Sequence, residues 1–73
     1  MKGGVQLIYE NYVRFRDMRG MSDADVARES GIAATTLSAW KRGEYTPKLQ
    51  KLQAIANCLD ISLNTLISDP DGN

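Results

Sequence analysis

The chain has no histidine and one cysteine. It also lacks a glycine-rich phosphate loop and any pair of carboxylates set against an apolar pocket, so acid-base, nucleophilic and metal mechanisms are missing their usual parts. The expectation is a non-enzyme with no cofactor, no metal site and no evident small-molecule ligand. Cys58 has no partner for an internal disulfide; its place in A-I-A-N-C-L predicts a buried or half-buried thiol on a helix, as in a reducing cytosol. No apolar run approaches the ~18 residues that span a bilayer, and residues 1–9 lack the apolar centre of a signal peptide. This excludes a membrane partner and predicts a soluble, cytoplasmic protein. Net charge is absent too: nine basic residues balance nine acidic ones, which argues against indiscriminate binding to polyanions.

The distribution of charge says more than its sum. From residue 33 to 53 the chain carries Lys41, Arg42, Lys48 and Lys51 against Glu44 alone, whereas residues 54–73 carry only Asp60, Asp69 and Asp71. One half is positive and the tail negative, a dipole able to turn one face toward phosphate. Seventy-three residues make one domain with a small core, near the size at which helical proteins fold without disulfides or metals.

Residues 22–43, S-D-A-D-V-A-R-E-S-G-I-A-A-T-T-L-S-A-W-K-R-G, read as two short helices joined by a glycine turn. Ser22 is placed to cap the first, and Asp23 and Asp25 put negative charge in its first turn, where the helix dipole favours it. Val26, Ala27 and Ser30 form a narrow inward stripe. Gly31 supplies a left-handed turn, and Ile32 plugs the corner behind it. In the next helix Ala33, Leu37 and Trp40 recur at i, i+4 and i+7 on an anchoring face, while Thr35, Ser38, Ala39 and Arg42 fall on the other. That second face is small enough to enter a groove.

Elsewhere the pattern is helical, with no strand, repeat or linker. A first helix is expected over residues 6–19, with Ile8, Tyr12 and Phe15 as its core stripe and Gly20 as terminator. A fourth is expected from Pro47, capped by Thr46, with Leu49, Leu52, Ile55, Ala56 and Leu59 as its apolar side. Ser62 caps a fifth through Ile67. The expected organisation is a flexible segment at residues 1–5, a helical domain at 6–67 and a frayed acidic tail at 68–73.

The segment G-I-A-A-T-T-L-S-A-W-K-R-G resembles the G-[apolar]-S-x-x-T-[apolar]-S-x-[apolar]-x-x-G pattern of the Cro and phage-repressor-like (XRE-type) helix-turn-helix proteins. Residues 12–22, Y-V-R-F-R-D-M-R-G-M-S, are similar to that family's first helix. Residues 46–67, with L-x-x-I-A-x-x-L, look like its fourth and closing helices. About residues 8–67 are covered. The resemblance implies an all-α, compact five-helix lambda-repressor-like fold and a small transcriptional regulator that binds double-stranded DNA, of the kind used as repressors by prophages and mobile elements. An antitoxin-like or adaptor module with weakened DNA binding is the alternative, and an excised domain of a longer repressor stays open.

On this reading Ala34, Thr35, Ser38, Ala39 and Arg42 face base edges in the major groove. Lys41, Lys48, the Gly43 N–H and the Tyr45 hydroxyl lie where the family grips phosphate. Arg42 serves either purpose, Thr36 either flanks the site or bonds backbone, and the Tyr45 ring can instead pack over its loop. Trp40 is expected in the core. One half-site read by four or five short side chains discriminates weakly, so two linked half-sites and a homodimer are expected. The family's dimer surface lies near the last helix, which points to Leu63, Leu66 and Ile67, with at least one exposed in the monomer.

The chain also departs from the family pattern. Ala33 and Ala34 stand where a capping serine and a base-reading glutamine are common. Asp23 stands at the front of the second helix, where a carboxylate left unscreened would oppose phosphate and where the alternatives are a bond to a cytosine amine or a tuning of register. Lys41 replaces a glutamate that often pairs with the first-helix arginine, leaving Glu44 or Asp17 as partners for Arg16.

Overall fold

The computed structural model describes residues 4–68, with side chains from residue 8 onward. Five helices follow one another: α1 (Gly4–Met18), α2 (Asp23–Ser30), α3 (Ala34–Lys41), α4 (Leu49–Cys58) and α5 (Leu63–Ile67). Of the terminal segments expected at residues 1–5 and 68–73, residues 1–3 and 69–73 lie outside the described residues. Helix α1 starts at Gly4, two residues before the expected boundary.

Local chemistry explains most boundaries. The Ser22 hydroxyl accepts from the Asp25 N–H at 3.1 Å, and the Asp25 carboxylate accepts from the Ser22 N–H at 3.0 Å. This reciprocal pair satisfies two amides that the start of a helix would otherwise orphan. Those bonds, with Arg28 beside it, hold the Asp25 carboxyl below the usual carboxylate range. Ser62 likewise accepts from the Thr65 N–H at 3.0 Å at the head of α5. Helix α3 has no such help: Ala33 sits at its N-cap with no side-chain bond.

One pair of hydrogen bonds closes α1, α3 and α4 alike. In α3 the Gly43 N–H reaches Trp40 O at 3.0 Å and the Glu44 N–H reaches Ala39 O at 2.9 Å; in α4 Asp60 and Ile61 bond Asn57 O and Ala56 O in the same pattern. This Schellman arrangement requires a left-handed residue one place beyond the C-cap. In α4 that residue is Asp60, at φ 60°, where a Cβ costs energy that glycine avoids.

The start of α4 differs from the expectation. Pro47 is buried rather than helical, Lys48 occupies the N-cap in an extended conformation without a side-chain bond, and Thr46 does not cap. The helix thus begins only after Lys48, two residues beyond the expected cap at Thr46. Leu49 thereby lands on the solvent side, 63% exposed, rather than on the apolar stripe.

The core gathers Tyr12, Val26, Ile32, Leu37, Trp40, Leu52, Ile55, Ala56, Leu59 and Leu66. Ile8 and Phe15 pack against its edge. Trp40 meets Tyr9 edge-to-face and Tyr12 at a tilt, with ring centres 5.1 Å apart in each pair. Helix α2 packs on α3 and α4, while α5 closes against α1 and α4. Asn11, the buried polar side chain of this core, donates from Nδ2 to Leu66 O at 2.8 Å and to Ser68 O at 2.7 Å. It caps the last turn of α5 from across the molecule.

Candidate nucleic-acid interface

The α2–α3 corner is built as the sequence suggests. Gly31 takes φ 79°, its N–H bonds Ala27 O at 3.0 Å, and Ile32 is buried behind it. A Cβ on Gly31 would meet nothing within 4 Å. Backbone conformation alone, not space, therefore makes glycine the fitting residue at the turn. The Ser30 hydroxyl accepts from the Ile32 N–H at 3.2 Å, closing the corner.

Leu37 and Trp40 anchor α3, each 1% exposed. Ala33, grouped with them by spacing, is exposed: it precedes the first helical turn in an extended conformation and so leaves the helical phase. On the outward arc Ala34, Thr35, Ser38 and Arg42 are exposed, whereas Ala39 and Thr36 are half-buried. Lys41 and Lys48 are exposed, and Tyr45 is half-buried. The Gly43 amide is committed to Trp40 O. It closes the helix and is not free for a phosphate in this conformation, which corrects the role expected for it.

Arg42 forms an exposed ion pair with Glu44, Nε to Oε1 at 3.1 Å. Glu44 is therefore not the partner of Arg16. That guanidinium donates from Nη2 and Nε to Asp17 at 2.8 and 3.0 Å and from Nη1 to Asp23 at 2.9 Å. The same Asp23 oxygen accepts from the Tyr12 hydroxyl at 2.6 Å. Asp23 is thus screened, contrary to expectation. Burial and the bond to Asp23 push the Tyr12 hydroxyl well above the usual phenol range. Burial alone would lower Arg16, but its bonds to Asp17 and Asp23 outweigh it and hold the guanidinium above its ordinary range.

The node of Tyr12, Arg16 and Asp23 locks the front of α2 to α1, and sequence reasoning missed it. A signal was present: Arg16 without its customary partner and Asp23 in an unaccustomed place are two oddities of opposite charge. Cys58 is half-buried as expected, with Glu29 Oε1 4.0 Å from Sγ; burial and that carboxylate raise the thiol above its ordinary range.

On α5 the three expected interface residues divide. Leu66 is wholly buried and has no surface to offer a partner, because the bonds from Asn11 pull its turn against α1. Leu63 is half-buried, and Ile67 is 38% exposed.

A helix-turn-helix family model matches residues 14–66, from the middle of α1 to the end of the core in α5. The chain belongs to the Cro/C1-type helix-turn-helix family. Relatives include the HTH-type transcriptional regulator SinR of Bacillus licheniformis, 30% identical over 66 residues that make up 89% of this chain and 60% of that protein. The SinR of Bacillus subtilis is 30% identical over 86% of this chain and 58% of its own length. This helix-turn-helix chain therefore spans about three-fifths of the SinR proteins it matches. An uncharacterised HTH-type transcriptional regulator of Sinorhizobium fredii, y4dJ, is 29% identical over 90% of this chain and 86% of its own. Among solved structures, the crystal structure of a hypothetical transcription factor, NHTF from Neisseria, superposes with a TM-score of 0.88 at 25% identity. That match covers 94% of this chain and 79% of the other. The five-helix fold and the family are those expected, and the family is one of regulators, not enzymes. Among the described residues no helix is long and apolar enough to cross a membrane.

Proposed function

We propose that this chain binds duplex DNA sequence-specifically as a small cytoplasmic transcriptional regulator, a repressor of the prophage or mobile-element type acting as a homodimer on a two-fold site. The observation that carries the reading is the make-up of α3, whose buried Leu37 and Trp40 leave Ala34, Thr35 and Ser38 exposed on the opposite arc. Side chains this short let a helix backbone approach base edges closely, with hydroxyls to donate or accept and methyls to meet thymine. Lys41 and Lys48 flank the arc and supply charge for phosphate.

The acidic groups nearby do not cancel that charge. Asp23 is paired with Arg16, which it shares with Asp17, and Asp25 is engaged by Arg28 and its own cap. For the dimer, Ile67 with the partly covered Leu63 is the apolar surface that α5 keeps outward. Selection of bound fragments from a random duplex pool tests the reading. An enriched palindrome with half-sites about one helical turn apart, roughly 34–36 Å, is expected. No enrichment, with a protein partner captured instead, would favour an adaptor role.

A further inference from the structure

Helix α5 ends differently from α1, α3 and α4. It has five residues, and Leu66 is its buried anchor. Ser68 follows in an extended conformation, φ −77° and ψ 148°, with its hydroxyl donating to Asn64 O. The closure beyond that point comes from another helix: Nδ2 of Asn11 donates to Leu66 O at 2.8 Å and to Ser68 O at 2.7 Å. Ile67 stands between those two carbonyls, 38% exposed, while Leu66 is wholly covered.

Apolar burial has no direction, so one buried leucine does not fix how so short a helix is turned about its axis. Hydrogen bonds do have direction, and a side-chain amide nitrogen has two hydrogens to give. Both are spent here, one on each side of Ile67. An amide is costly to bury unless it is paired, and an apolar side chain would fill the same place without that risk. What the amide adds is a single setting for the end of α5, as a fully satisfied buried polar group can.

From Leu63 to Ile67 α5 carries no charged side chain. On a two-fold axis a patch faces its own copy, where a charge would meet its like, so a charge-free α5 suits a second copy of this chain. Resting on the homodimer reading above, we infer that Asn11 is a positioning residue for that interface, setting Ile67 outward on the surface to which the second copy docks. Asn11 is 2% exposed. It touches no partner and acts only through α5.

The test is equilibrium binding of wild type, Asn11→Leu, Ile67→Ala and the double variant to the selected palindrome and to a single half-site, with sedimentation of each complex. Leucine has the branching of asparagine and lacks its donors. Half-site affinity and base preference should stay at wild-type values, because α3 is untouched. Cooperativity on the palindrome should fall about two- to tenfold, the span of losing one or two such bonds. With Ile67→Ala in place, Asn11→Leu should add nothing. Asn11→Ala, which also lacks the donors and favours the helix, carries the same expectations should the leucine chain not fold. In wild type the side-chain amide protons of Asn11 should exchange as slowly as core amides.

The inference is overturned if the Asn11 variants keep wild-type cooperativity, if they weaken half-site and palindrome binding equally, or if their effect persists in full without the Ile67 side chain. Rapid exchange of the Asn11 amide protons in wild type overturns it too, whatever the variants do. A wild-type chain that enriches no palindrome, or binds one as a single copy, would instead defeat the homodimer reading itself, which separates the two failures.

Discussion

Arg16 and Asp23 meet at 2.9 Å across the α1–α2 corner, and the oxygen they share also accepts the Tyr12 hydroxyl. One carboxylate therefore satisfies a wholly buried tyrosine and a mostly covered guanidinium. Asp23→Ala should strand the tyrosine hydroxyl and leave Arg16 with Asp17 alone, with a loss of about 1–3 kcal/mol expected for an unsatisfied buried donor. Asp23→Asn, which keeps an acceptor, should lose less. Denaturant unfolding of the two variants checks the order; equal losses would mean that packing at position 23 matters and the hydrogen bonds do not.

Trp40 fills the centre of the aromatic cluster, yet among the described residues its buried indole Nε1 has no hydrogen-bond partner. Trp40→Ala should cost about 3–5 kcal/mol, the range for removing a large buried aromatic, enough to unfold a domain of marginal stability. Trp40→Phe should be much milder, since no hydrogen bond is lost with the second ring. Thermal melts followed by circular dichroism, which do not depend on the indole as a probe, measure the difference. A phenylalanine variant as unstable as the alanine one would contradict the absence of an indole partner.

Asp60 holds a left-handed conformation at the end of α4, with only a long 3.9 Å contact to Arg19 and an 87% exposed side chain. Asp60→Gly should raise stability by about 1 kcal/mol as the Cβ penalty disappears. A midpoint that moves down instead would show that the aspartate has a compensating role.

Lys41, at the end of α3, and Lys48, before α4, are both exposed. Alanine at either position should weaken binding to specific and random duplexes alike and lower the salt slope by about one. Thr35 or Ser38 replaced by a bulky residue should act differently, removing site preference while the fold persists. If the slope ignores both lysines, their charge is merely solvated surface.

Leu66 and Ile67 are neighbours with opposite fates. Leu66→Ala should destabilise the monomer by about 2–5 kcal/mol, whereas Ile67→Glu should leave it folded and disrupt cooperative binding to a palindrome. Sedimentation with and without duplex distinguishes them. An Ile67→Glu chain that still binds as two copies per site would remove α5 from the dimer surface.

What could be read from sequence is mostly what closes within a turn of helix. The Ser22 and Ser62 caps and the Gly31 corner depend on bonds between residues at most four apart, so residue type at fixed spacing suffices. Leu37 and Trp40 declare their face because they share a helical phase inside one uninterrupted helix. Phase fails at helix edges, and there the reading went astray: Ala33 is the extended N-cap of α3 and Leu49 is the first residue of α4.

The remaining features bring together residues that local rules do not connect. Asp23 reaches Arg16 across 7 positions and Tyr12 across 11, while Asn11 reaches Leu66 across 55. Nothing in a single helix states that these groups will meet, because their distance is set by how α1 lies against α2 and α5. The sequence by itself determined the helices, the corner, the anchoring face of α3 and the family. Only the tertiary structure decided which charges are spent on one another, that Leu66 turns inward while Ile67 turns outward, and that Asn11 caps the last turn of α5. The reason is physical: a cap is closed by neighbours along the chain, whereas a charge or an apolar side chain is assigned its partner only when distant segments pack.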